Sequence, residues 1–122
     1  YASRGLLIAA QYLQEQDDLK AAQEQLNWII SHSDESAMVS VARLRLSALL
    51  LEQKQYDEAL QQLQNPSTAY AGLYADRRGD VRYAQGDIAQ AKTEWEKAVN
   101  ALSDVAYAQI VQLKLEALGK EK

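Results

Sequence analysis

The chain has 122 residues, with 13 Lys/Arg against 17 Asp/Glu and a net charge of −4; that length suits a single domain able to bury roughly two thirds of its unfolded surface. The acidic balance excludes the basic stripe that nucleic-acid binding requires, and the lack of Cys excludes disulfides, thiol nucleophiles and thiolate metal sites. One Pro, five Gly and no Phe, with abundant Ala, Leu, Gln, Glu and Lys, predict an all-α fold.

In chain order, apolar periodicity predicts seven helices. Leu6, Leu7, Ala10 and Leu13 mark the first, to about Gln16. After an Asp17-Asp18 turn and cap, a second runs to about Ile30, with Ala22, Leu26, Ile29 and Ile30 on one side, until His32-Ser33-Asp34 breaks it. The third spans about 35–54 and the fourth 56–64, ended by Asn65-Pro66-Ser67, since Pro cannot continue a helix. The fifth covers roughly 68–84, and a Gln85-Gly86-Asp87 turn separates it from the sixth, 88–101. Ser103-Asp104 caps a seventh that ends near Gly119. Its apolar side reads as Ala106, Ile110, Leu113 and Leu118, with Gln109, Gln112 and Lys114 outward.

A repeat underlies this order. Ala22, Ala59 and Ala91 each precede a bulky residue by four positions: Leu26, Leu63 and Trp95. Each follows an apolar residue by three (Leu19, Tyr56, Ile88) and a small one by twelve (Ala10, Ser47, Gly79). From 22 to 59 is 37 residues, and from 59 to 91 is 32. This is the helix–turn–helix grammar of a tetratricopeptide repeat. The small residue and the Ala let two antiparallel helices approach, and successive pairs stack because one pair cannot bury its own apolar face. The expected fold is therefore an all-α, tetratricopeptide-repeat-like α-solenoid. It is read as one domain, 1–122, with repeats at about 3–34, 36–66 and 69–102 and a cap helix at 103–118. Gly79 takes the small-residue slot, and Gly86 a turn position with positive φ.

The stretches "YASRGLLIAAQYLQEQDDLKAAQEQL", "ARLRLSALLLEQKQYDEAL", "ADRRGDVRYAQGDIAQAKTEWEKAV" and "QIVQLKLEAL" resemble the soluble domain of the YfgM-like proteins, ancillary subunits of the bacterial SecYEG translocon. The resemblance covers nearly the whole chain. It implies a single-pass bacterial inner-membrane protein whose repeat domain lies in the periplasm. Implied partners are the SecYEG channel and a membrane-anchored periplasmic chaperone of the peptidyl-prolyl isomerase type. It implies no catalytic residues and no cofactor. The start at Tyr1 rather than Met is read as the cut end of a longer protein, with an anchor and about one helix upstream. The membrane enters only through that anchor. The apolar face of residues 6–13 is then expected to be exposed, or covered by a second copy in a homodimer.

In such repeats the first helix of each pair lines a concave face that meets partners. Candidate groove positions are Arg4, Leu7, Gln11 and Gln14; then Val41, Leu44, Ala48 and Leu51; then Leu73, Asp76, Asp80 and Tyr83. Leu44 and Leu51 read equally as core, while Asp76, Asp80 and Tyr83 are expected to be the better exposed. Asp76 and Asp80 share a helical face. Arg77, Arg78 and Arg82 favour an ion-paired role for them over a metal site. His32, the one histidine, is expected to cap a helix end, Trp95 to fill a packing slot, and Trp28 to be partly exposed or to contact the next helix. No glycine-rich phosphate loop or metal-ligand cluster supports an enzyme. A protein-binding scaffold is the expected function; the alternative is a cytoplasmic adaptor binding a peptide segment of a partner.

Overall fold

The computed structural model describes residues 2–15 and 18–119, with all of their side chains except those of 2, 3 and 15. The expected first-helix end at Gln16, the Asp17 part of the turn and the charged tail from residue 120 lie outside the described residues. Helices make up the regular structure: α1 (Ala2–Glu15), α2 (Leu19–His32), α3 (Ser36–Glu52), α4 (Tyr56–Gln62), α5 (Ala71–Ala84), α6 (Ile88–Ala101) and α7 (Val105–Gly119). A 3-10 turn, Thr68–Tyr70, leads into α5. The expected all-α class is what the described residues form. The helix ends fall within two to three residues of the sequence-based bounds.

The chain divides into two compact units, Tyr1–Gln62 and Leu63–Lys122. In the first, α1 packs on α2, α2 on α3 and α3 on α4. Its buried residues include Ala10, Ala22, Leu26, Ile29, Leu46, Leu49 and Ala59. Asp18 caps α2 by accepting a hydrogen bond from the Ala21 amide at 3.3 Å. Ser47 is fully buried in its small-residue slot and spends its hydroxyl on the Leu44 carbonyl of its own helix, so no polar atom is stranded.

In the second unit α5 packs on α6 and α6 on α7. Ala75, Ala91, Trp95, Ala98, Val111 and Leu118 form its core. Gly79 sits directly against the indole of Trp95: a Cβ there would fall onto Cδ1 and Nε1 and lie 2.9 Å from Cε2. Close approach, not flexibility, explains this mid-helix glycine. Gly86 has φ +84° and closes α5, its amide bonding the Tyr83 carbonyl and the next amide the Arg82 carbonyl. At the end of α3 the same pair of bonds recurs on Lys54, at φ 61°, with no glycine to accommodate it.

Helix α7 corrects one expectation. Ala106, Ile110 and Leu113 face outward, Ile110 at 55% and Leu113 at 63% exposure. Leu118 is buried as expected, but its companion is Val111, with Tyr107 and Leu115 against the same core and Lys114 turned inward. The helix is apolar on nearly every side, so its pattern leaves its rotation undetermined; the polar partners on α5 fix it.

Candidate functional site

The second unit brings Asp76, Asp80 and Tyr83 together on α5, at spacings of four and three that align them on one helical face. From α7, Lys114 Nζ donates to Asp76 Oδ1 and Asp80 Oδ1, each at 2.9 Å. The Tyr107 hydroxyl donates to the other Asp76 oxygen at 2.7 Å. From α6, the Trp95 indole N–H donates to the Asp76 carbonyl at 3.1 Å. The Lys114 ammonium stands 5.6 Å from the Trp95 ring centroid, and the Tyr83 ring packs at a tilt 5.8 Å from it. Asp80, Tyr83, Trp95, Lys114, Ala117 and Leu118 line an open pocket of about 280 Å³.

This arrangement corrects the expected exposure of Asp76, which is only 4% exposed. Three hydrogen-bond donors from two other helices meet its side chain or its carbonyl, so burial leaves neither oxygen unpaired. Asp80 is partly exposed, and Tyr83, at 41%, is the open member of the three. Asp80 Oδ2 lies 3.8 Å from Arg77 Nε, an ion pair without a hydrogen bond. Among the described residues no group of three or more metal-ligating side chains is assembled.

The electrostatics follow from this packing. Burial raises the Asp80 carboxyl above its ordinary range and the Asp76 charge adds to it, against the pull of Lys114 and Arg77. Burial opposes the charge on Lys114, but its hydrogen bonds to both carboxylates outweigh that and raise its pKa. The Tyr107 phenol is pushed up to about 12 by burial and by its bond to Asp76. Nearby, Arg78 binds Glu94 through a short Nε–Oε2 contact and donates to the Leu63 carbonyl at 2.9 Å. Burial raises the Glu94 carboxyl, yet the hydrogen bonds from Arg78 and Lys97 win and hold it below its ordinary value.

The charged groups are thus committed to one another. The pocket they frame offers aromatic faces, an aliphatic floor and one carboxylate edge, which is the chemistry of a binding surface. Lys114 and Tyr107 escaped the sequence reading. The only signal for them was the placement of two acids on α5, which called for a cation that any of several lysines or arginines could have supplied.

Leu73, also on α5, is half-buried; the other groove candidates lie in the first unit. Leu7 is buried and its carbonyl accepts from Arg45 Nη1 at 3.3 Å. Leu44 and Leu51 are half-buried, and Gln11 is exposed. On the face of residues 6–13, Ala10 is buried with Leu7, Leu6 and Leu13 are half-buried, and Ile8 and Tyr12 stand 72% and 61% exposed. His32 donates from Nδ1 to the Trp28 carbonyl at 2.9 Å, in the last turn of α2, as a cap does. Trp28 is 42% exposed and stacks on the His32 ring at 4.5 Å.

Residues 1–120 match the family described as tetratricopeptide repeat-like domain. Three bacterial proteins named ancillary SecYEG translocon subunit are similar to this chain. The relative from Neisseria gonorrhoeae is 31% identical over 119 residues, 96% of this chain. Those from Haemophilus influenzae and Escherichia coli are 33% and 28% identical over 97% and 98% of it. The chain spans 57–58% of the length of these relatives. The YfgM-like resemblance is borne out by them.

Proposed function

Because the chain belongs to the tetratricopeptide repeat-like domain family, we propose that it is a non-enzymatic protein-binding module of a translocon-associated membrane protein. The carrying observation is the pocket of Tyr83, Trp95, Lys114 and Asp80 on a frame of stacked helices, in a chain whose relatives are named as SecYEG subunits. In this reading the domain lies on the periplasmic side of a bacterial inner membrane. It binds the translocon and a peptidyl-prolyl isomerase-type chaperone, and so assists exported proteins. No helix among the described residues is long and apolar enough to cross a membrane.

In-cell photo-crosslinking of the full-length protein tests this, with the reactive group at Tyr83 or Ala117 on the pocket rim and, as a control, at Gln90 on an exposed turn of α6. Capture of translocon subunits or a periplasmic chaperone from the rim positions alone is expected. Capture of cytosolic proteins only would replace this reading with the cytoplasmic adaptor.

A further inference from the structure

A second surface lies in the first unit. Gly5 and Leu6 of α1 and Glu24, Gln25 and Trp28 of α2 line a mostly apolar open groove of about 690 Å³. Space around Gly5 is open: apart from its chain neighbours and its own helix backbone, nothing among the described residues lies within 4 Å of the place a Cβ would take. Trp28 forms one wall, held in place by its stack on His32. Glu24 is the one charged residue of the lining; it is exposed and has no hydrogen-bond or ion-pair partner among the described residues.

We infer that this groove binds a basic amphipathic peptide segment of a protein partner, an aliphatic side chain entering the groove while a Lys or Arg meets Glu24 and a face of the Trp28 ring. Charge selects this occupant. The first unit carries nine Asp/Glu against five Lys/Arg, so its field attracts a cationic segment. The same field repels an anionic lipid surface. A second copy of the chain, docked about a two-fold axis, would set one unpaired Glu24 near another. A cation over the indole gains further from the ring's negative face, and its aliphatic stem covers apolar surface that is otherwise wet.

The test titrates the 122-residue chain with a short amphipathic peptide of leucine and lysine, and with its charge-reversed twin of leucine and glutamate. The indole N–H signals of Trp28 and Trp95 are followed by NMR and assigned with Trp28→Phe. The leucine–lysine peptide is expected to move the Trp28 signal saturably while Trp95 stays still, and the twin to move neither. Glu24→Lys, on an exposed helical surface where folding is not at stake, is expected to weaken binding about tenfold. Equal responses to both peptides, or indifference to Glu24→Lys, would overturn the inference. So would a Trp28 signal that moves with chain concentration alone, or with anionic vesicles alone, since the occupant would then be a second copy or a membrane. Binding is read at Trp28, with Trp95 as the unmoving control, so its failure leaves the pocket of the second unit untouched, and the reverse holds as well.

Discussion

At Gly79, backbone propensity and packing pull in opposite directions. Replacing a mid-helix glycine with alanine ordinarily stabilises by about 1 kcal/mol. Here the added methyl would enter the Trp95 indole and strain its bond to the Asp76 carbonyl, and overpacking of this kind costs about 1–3 kcal/mol. Gly79→Ala is therefore expected to lower the urea midpoint of the second unit, followed by indole fluorescence. Lys54 presents the opposite case. Its left-handed backbone closes α3 as Gly86 closes α5, but with a Cβ in place. Lys54→Gly is expected to stabilise by roughly 0.5–1 kcal/mol, read as a higher melting temperature, while Gly86→Ala destabilises by a similar amount. Gly79 and Gly86 were legible in sequence because the repeat spacing put each at a slot with a known demand. Lys54 was not, because nothing in Gln-Lys-Gln announces positive φ.

Helix α7 shows why a helix can be plain in sequence while its rotation is not. Successive residues turn by about 100°, so reading the buried stripe through 106, 110 and 113 instead of 107, 111 and 114 turns those positions away from the core, although Leu118 was placed correctly. With apolar residues on both stripes, hydropathy does not decide; the ion pair from Lys114 to Asp76 and Asp80 does. That pair also gives α7 a pH signature. The pKa values of Lys114 and Tyr107 are both raised in the folded state. Their contribution is therefore fully present below their ordinary values of 10.5 and 10.0, and is lost as pH rises toward and through the raised ones, about 12 for Tyr107. Glu94 works at the other end. Its pKa is lowered, so its contribution is present above its ordinary 4.5 and is lost as pH falls through the folded value. Urea midpoints measured across pH are expected to fall between about 10 and 12. Tyr107→Phe and Lys114→Met should flatten that limb; unchanged alkaline slopes in both variants would contradict the assignment. Lys114→Met is expected to cost about 1–3 kcal/mol at neutral pH, because it leaves Asp76 buried with its charge unmatched.

Over the whole molecule, charge and structure divide together. The first unit holds the entire excess of negative charge, while the second carries eight residues of each sign and pairs several of them internally. Binding of a basic segment to the first unit is therefore expected to weaken severalfold between low and physiological salt, as the Debye length shrinks toward about 8 Å. Titrations of the leucine–lysine peptide at two ionic strengths, read at Trp28, check this. The repeat class and the family were legible from three alanines, their spacings and a few longer stretches. The division at 62/63 falls inside the second repeat as read from those spacings, where α4 ends at Gln62, Asn65 takes φ 51° and a 3-10 turn precedes α5. Periodicity reports what each helix buries, but not where one core stops and another begins.

The contact between Gly79 and Trp95 also constrains how this sequence can change over generations. With the indole in place, any side chain at 79 meets a barrier. Shrinking 95 first opens a cavity that costs about 3–5 kcal/mol for a tryptophan cut to alanine, but that cavity would then admit a methyl at 79. The two positions are expected to behave as one heritable unit with a preferred order of substitution. Trp95→Leu with Gly79→Ala should be more stable than the two single effects predict, and a double-mutant cycle would measure that coupling. While the tryptophan stays, glycine is what fits in the middle of this helix, at a position where helix propensity alone would favour alanine.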